Sequence, residues 1–224
     1  MKKVAIVGAG ISGLFTANLF KKNPNYKITI YEKNSSIASE EGYGIQLSVN
    51  SIKFLNEIGF KNFDNNEKFN PEKINFYSNK SKKKICELDI SEFNSVNCRY
   101  TTLKRSSLIN FLKKDLGDKI KTGYDISKIE QHDKQIKLTF KNNEVNECDY
   151  LIISDGIFSK CKSLISNQQT KPKFNDTLAI RGILTKSFFK KLIKEDLFKV
   201  VYLQFTELNS EISSSQIFFL LLFE

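Results

Sequence analysis

Val4-Ala5-Ile6-Val7-Gly8-Ala9-Gly10-Ile11-Ser12-Gly13 opens the chain, and Glu32 follows Gly13 by nineteen residues, at the end of a second apolar run, Ile28-Thr29-Ile30-Tyr31. Gly8, Gly10 and Gly13 spell GxGxxG. The order is that of a strand, a tight turn, a helix and a second strand built to hold a dinucleotide. Residues 4–7 read as a parallel strand buried on both faces. Gly8 allows the sharp turn, Gly10 leaves room for a pyrophosphate against the backbone, and Gly13 lets the helix pack close to the strand. That helix places Leu14, Ala17 and Leu19 on its apolar side and Lys21 and Lys22 at its end, where cations suit the dipole. Its N-terminus carries roughly half a positive charge, which favours a diphosphate. Glu32 is placed to accept hydrogen bonds from both hydroxyls of an adenosine ribose. Its charge repels a 2′-phosphate, which argues against NADP in this particular site. The geometry of the motif does not choose between FAD and NAD.

The 224 residues suffice for one large domain or one and a half smaller ones, and 40% hydrophobic content supplies a core. The formal charge of +10 comes mostly from scattered lysine. The densest cluster, Lys80, Lys82, Lys83 and Lys84, reads as a solvated hairpin tip, with contact to anionic lipid or an acidic partner as the sharper alternative. No nucleic-acid motif accompanies the charge, so nucleic acid is not an expected partner. Cys86, Cys98, Cys148 and Cys161 show no CxxC spacing and His132 is the single histidine, so no metal site is expected. Four unclustered cysteines fit free thiols in a reducing cytoplasm. Residues 1–20 do not read as a signal peptide, because glycines with another use interrupt the apolar segment. No run approaches the roughly 18 apolar residues of a membrane span.

Further along, Asn50 or Ser51 is expected to cap a helix carrying Ile52, Phe54, Leu55 and Ile58, ended by Gly59. Ile74 to Tyr77 and Ile85 to Ile90 read as two strands around the lysine-rich turn, and Thr101 to Leu103 as a short strand. Ser106 to Leu116 reads as a helix stopped by Gly117. Ile126 to Ile129, Ile136 to Phe140 and Val145 onward form a small meander, and Tyr150 to Ser154 another buried strand, ended by Asp155 and Gly156. Ser159 to Ile165 is helical. Thr177 to Leu184, Lys199 to Phe205 and Ser215 to Phe223 are strand-like, with a helix around Phe188 to Leu197.

In this order the pieces resemble the FAD-dependent monooxygenases that hydroxylate aromatic rings and ubiquinone precursors, from residue 3 to about residue 185. Three stretches carry the resemblance. GAGISGLFTANL with Glu32 is similar to the family's ADP-binding turn. Gly42-Tyr43-Gly44-Ile45-Gln46-Leu47-Ser48-Val49-Asn50 and Arg105-Ser106-Ser107-Leu108 are similar to its GxGIxLxPN and RxxLxxxL stretches. Asp155-Gly156-Ile157-Phe158-Ser159 is similar to its DGxxSxxR motif. The resemblance implies an α/β fold: a Rossmann-like parallel sheet with a β-meander for FAD, and part of a second, mostly antiparallel sheet on the substrate side. The expected division is residues 1–70 and 95–168 for FAD, and 71–94 and 169–224 for the incomplete substrate-side sheet. The implied cofactor-binding residues are Gly8, Ala9, Gly10, Ser12, Gly13, Glu32, Lys33, Gly44, Ile45, Arg105 and Asp155. Arg105 would contact the cofactor, and a guanidinium at a helix start, disfavoured by the dipole, suits a nearby diphosphate. Asp155 reads equally as a helix cap. Gly44 and Ile45 would run beside the flavin ring, where a plain turn is the alternative, and Tyr43 would flank the ring or face solvent.

Three departures stand against the family pattern. Lys162 replaces the arginine of DGxxSxxR, and Val49 replaces the proline of GxGIxLxPN. No glycine follows Gly182, so the family's later GD motif is missing and the chain is expected to be truncated. The implied activity is hydroxylation of an aromatic or quinone-like substrate, with NADPH or NADH as transient reductant of the flavin and one atom of oxygen entering the ring. No Ser-His-Asp set or paired carboxylates stand out, and no catalytic residue is assigned. The alternatives are an NAD-dependent dehydrogenase, in which the DGIFS and Arg105 segments have no place, and a non-catalytic fragment that binds flavin. A flavin halogenase needs a tryptophan-containing signature, which a chain without Trp cannot have.

Overall fold

The computed structural model describes residues 1–37, 44–77, 81, 83–166, 172–173, 178–185 and 216–223. The chain divides into two compact units, Met1–Glu40 with Leu108–Lys173, and Glu41–Ser107 with Phe174–Glu224.

The first unit is built on a parallel sheet. β1 (Lys2–Val7) runs into α1 (Ile11–Lys21) and returns as β2 (Tyr26–Glu32). The sheet order is β12-β1-β2-β8, where β8 is Ile120–Thr122 and β12 is Tyr150–Ile153. β1 pairs in parallel with both neighbours, Ile6 standing opposite Ile30 on one side and Ile152 on the other. A central parallel strand buries both faces, and Val4, Ala5, Ile6 and Val7 are all buried. Ala5 and Val7 join Tyr31 in a core with Ile126, Leu138, Phe140, Cys148 and Cys161. Those residues come from the antiparallel meander β9 (Ile126–Gln131), β10 (Ile136–Phe140) and β11 (Val145–Cys148), and from α4 (Lys160–Ser166). α1 buries Gly13, Leu14 and Ala17 and is tied to Leu112 by a hydrogen bond from the Asn18 amide to its carbonyl, 2.7 Å.

Several expectations are corrected here. Leu19 is exposed, since five residues past Leu14 it has turned well away from the buried stripe at 3.6 residues per turn. The helix expected over 106–116 is α3, Arg105–Lys113; it gives way to a 3₁₀ turn at Gly117–Lys119, and Leu116 stays buried beyond its end. β8 was not expected, having a single apolar residue, Ile120, between lysines. β12 is not a buried strand. It is the sheet's last strand among the described residues, with Tyr150 49% and Ile153 37% exposed, because apolar composition reports affinity for a core and not position within the sheet.

In the second unit β3 (Gly44–Leu47), β7 (Thr101–Lys104) and β4 (Lys68–Phe69) form an antiparallel sheet, with Gly44 opposite Lys104. α2 (Val49–Asn56) is capped by Ser48, whose hydroxyl accepts the Ser51 amide, rather than by Asn50 or Ser51. Gly59, just past it, takes a φ of +93°, which explains why a glycine ends this helical stretch. β5 (Lys73–Tyr77) and β6 (Lys84–Asp89) pair as the expected hairpin, and β13 (Leu178–Thr185) pairs with β14 (Gln216–Phe223). The expected helix at 188–197 and strand at 199–205 lie outside the described residues, as do Gly42, Tyr43, Lys80 and Lys82.

Phe140 is the fully buried ring on which Tyr31 (4.7 Å) and Tyr124 (5.0 Å) rest. Phe140→Ala is expected to cost about 3–5 kcal/mol in chemical denaturation. Burial pushes the thiols of Cys148 and Cys161 up to about 11 and about 12, with Asp155 adding to the second. Iodoacetamide at about pH 8 should therefore label exposed Cys86 in the native protein and reach Cys148 and Cys161 only after unfolding.

Candidate functional site

The turn between β1 and α1 is shaped by contacts of backbone with backbone. A Cβ at Gly13 would lie 1.9 Å from the Gly8 carbonyl oxygen, so the helix rests directly on the turn. A Cβ at Gly8, which has a φ of +97°, would lie 2.4 Å from the carbonyl oxygen of Ser154 at the end of β12. Gly10 differs from both. Among the described residues a Cβ there would meet nothing within 4 Å, and its φ of −79° suits any residue. Two glycines are thus required by the fold, while the third is required only if something approaches it from outside. Gly10 is also the N-cap of α1, where no side chain caps the helix and no acidic residue stands in the first turn. Ser12 is exposed in that first turn.

Glu32 stands at the tip of β2 with its carboxylate anchored twice. Oε2 accepts the Ala9 amide at 2.9 Å and Oε1 accepts the Asn34 amide at 3.0 Å. Ala9 thus acts through its amide, fixing the acid against the turn. A carboxylate offers about four acceptor positions, so each oxygen keeps roughly one for a further donor. The Tyr124 amide donates to the Glu32 carbonyl at 2.8 Å, which places the start of the meander beside the acid.

These groups open on a cleft of about 440 Å³ whose walls include Gly8, Gly10, Glu32, Lys33 and Asp155. Sequence reasoning missed the opposite wall, which comprises Tyr124, Asp125, Ile126, Lys141, Lys160 and Cys161. Those side chains come from the meander and α4. Only the pairing of β8 with β2, from Ile30 opposite Ile120 to Glu32 opposite Thr122, brings Tyr124 and Asp125 to the tip.

Asp155 follows β12 into the turn before α4. Its Oδ2 accepts the Cys161 amide at 3.0 Å, and Ser159 caps the helix by accepting the Lys162 amide at 3.1 Å. The helix-capping role of Asp155 is therefore present. Its other oxygen, Oδ1, is buried and has no hydrogen-bond partner among the described residues. Burial raises the carboxyl's pKa, but hydrogen bonds from Ser159 and Cys161 outweigh it and hold the group below the usual carboxylate range. A charged, buried oxygen without a donor costs free energy unless one arrives. Lys162 borders a second cavity, lined also by Ile153, Asp155 and Ile165.

Gly44, Ile45 and Arg105 belong to the second unit. Gly44 and Ile45 pair with Lys104 and Leu103 along β3 and β7, and the half-buried Arg105 opens α3 directly after β7.

The sequence profile of the NAD(P)-binding Rossmann-like domain matches residues 6–43. Over 184 residues the chain is 21% identical to 6-hydroxynicotinate 3-monooxygenase of Bordetella bronchiseptica, covering 81% of this chain and 47% of that protein. The fold matches 2,6-dihydroxypyridine-3-hydroxylase from Arthrobacter nicotinovorans, with a TM-score of 0.68 and 18% identity over 83% of this chain and 44% of that one. It matches Klebsiella pneumoniae HpxO in complex with FAD and uric acid at a TM-score of 0.71, with 17% identity over 82% of this chain and 46% of that one. The mixed α/β fold, with its parallel sheet and separate antiparallel sheets, is thus the fold of FAD-binding monooxygenases. The chain spans less than half the length of the curated relatives it matches.

The contrast between the glycines gives a test. Gly13→Ala should lower the thermal midpoint, costing at least about 1–3 kcal/mol. Gly10→Ala should leave the midpoint of the ligand-free protein unchanged and weaken dinucleotide binding at least about tenfold, which corresponds to about 1.4 kcal/mol. Calorimetric titration beside thermal denaturation separates the two effects.

Proposed function

We propose that the cleft of the first unit binds FAD, and that the protein serves as an NAD(P)H-dependent monooxygenase acting on an aromatic or quinone-like ring. One observation carries the reading: the turn is locked by backbone contacts at Gly8 and Gly13 yet open at Gly10. Such a surface suits an anion lying against main-chain amides at an uncapped helix start. The other groups fit the same ligand. The spare acceptor positions of Glu32 suit two ribose hydroxyls, and the unpartnered Oδ1 of Asp155 suits a donor from a cofactor or its water.

In this proposal Gly8, Gly10, Ser12 and Gly13 receive the diphosphate, Ala9 orients Glu32, and Glu32 with Lys33 holds the sugar. Arg105 offers a second contact to phosphate, and Gly44 and Ile45 border the flavin ring. Bound FAD supplies the passage of electrons from a nicotinamide donor to oxygen. The chain's own residues bind, orient and shield it. Residues 1–70 and 95–168 serve the cofactor, and 71–94 and 169–224 contribute to the substrate side. The relatives named above act on small aromatic rings by their names, which supports a substrate of that class. The free thiols fit a cytoplasmic setting. No described helix is long and apolar enough to cross a membrane. Peripheral contact with anionic lipid through the lysine-rich turn near Lys83 and Lys84 belongs to the proposal as well. A second reading, cofactor binding without turnover, draws on the short span of the chain against its relatives.

Equilibrium titration with FAD should give one site per chain and a protein-bound flavin spectrum. NADH or NADPH oxidation should then depend on FAD and rise when hydroxylated pyridines or phenols are added. FAD binding without such oxidation favours the second reading, and absence of FAD binding contradicts both.

A further inference from the structure

The lining of the cleft holds three charged residues that the proposed cofactor contacts do not use, Asp125, Lys141 and Lys160. Three lysines, Lys33, Lys141 and Lys160, and three carboxylates, Glu32, Asp125 and Asp155, line it. Asp125 carries two of the lysines. Its Oδ2 accepts the Lys141 ammonium at 2.6 Å, its Oδ1 accepts the Lys160 ammonium at 3.1 Å, and its main-chain oxygen accepts the Lys141 amide at 2.8 Å. These bonds gather the start of β9, the turn after β10 and the first residue of α4 around one carboxylate. Asp125 also directly follows Tyr124, whose amide is bonded to the Glu32 carbonyl. The cluster therefore lines the same cleft as the acid proposed to hold the sugar.

Two ammonium groups in the cleft that Glu32 lines would, on their own, attract a phosphate carried on that sugar. Bound to Asp125, they form a cluster whose net charge falls from +2 to +1. We infer that Asp125 is a specificity-determining residue: by holding Lys141 and Lys160 it leaves the cleft selective for an adenosine with free ribose hydroxyls over one bearing a ribose phosphate. This rests on the reading of the cleft as a dinucleotide site. Glu32 repels such a phosphate directly, while Asp125 halves the positive charge that would offset the repulsion. The lysines are partly exposed, at 65% and 45% for their side chains, so the effect is moderate and screened by salt. The hydrogen bond from Lys141, with burial opposing and Lys160 assisting, holds the Asp125 carboxyl below the usual range, which keeps it charged near neutrality.

The test compares ADP-ribose with 2′-phospho-ADP-ribose by calorimetry on the full chain, with circular dichroism confirming that each variant is folded. Wild type should prefer ADP-ribose. Asp125→Asn should shift the ratio of the two affinities toward the phosphorylated ligand by about tenfold at low ionic strength, and less as salt rises. Lys141→Gln with Lys160→Gln, Asp125 kept, should move the ratio the opposite way, which keeps the inference testable should Asp125→Asn misfold. Adding both lysine changes to Asp125→Asn should cancel its shift. An unchanged ratio in Asp125→Asn, or a shift that survives loss of both lysines, overturns the inference and leaves the dinucleotide reading standing. Wild type binding neither ligand removes both.

Discussion

The contact on which the rest depends is that of α1 with the turn beneath it. The carbonyl of Gly8 fills the space where Gly13 would carry a side chain, so no methyl group fits between them. That closeness sets the helix start beside the tip of β2, where the Ala9 amide reaches Glu32. On the other side, the carbonyl of Ser154 lies 2.4 Å from where a Gly8 side chain would begin and brings Asp155 into the same corner. Backbone packing alone thus gathers an uncapped helix terminus, an anchored acid and an unpartnered carboxylate oxygen.

The surrounding core packs against this corner. Tyr31, Tyr124 and Phe140 form an aromatic cluster under the cleft, and burial pushes the Tyr31 phenol up to about 12. The meander therefore does two things: it covers one face of the parallel sheet and supplies the wall opposite the glycine turn. Exposed ion pairs such as Lys2 with Asp149 add little by comparison, since solvent screens them. Aromatic packing and backbone contact hold the site, and charge tunes what enters it.

Much of this was legible in the residues. The glycine spacing, the run from Val4 to Val7 and the acid at position 32 are local signals, and the structure realises the crossover and sets the acid at the end of β2; the acid's bond to the Ala9 amide was not expected. The alternating meander was equally plain, because one face meets water and the other the core. The far wall was not legible. Tyr124, Asp125, Lys141 and Lys160 are ordinary loop and strand-end residues until β8 pairs with β2, and β8 has too few apolar residues to announce itself. The place of β12 as the sheet's last strand among the described residues was hidden for a different reason, since its composition is that of a central strand. Gly44, Ile45 and Arg105 were marked by family resemblance, and they lie in the second unit, so their proposed roles rest on that resemblance.

The central claim, that the glycine turn and its acid form a dinucleotide cradle, is tested most directly by amide NMR during titration with ADP-ribose. The account predicts saturable shifts at Gly10, Ile11, Ser12 and Gly13, together with Lys33, Asn34 and the Tyr124–Ile126 segment, and little change elsewhere in the first unit. Shifts that are absent, or that gather away from the turn between β1 and α1, would contradict it.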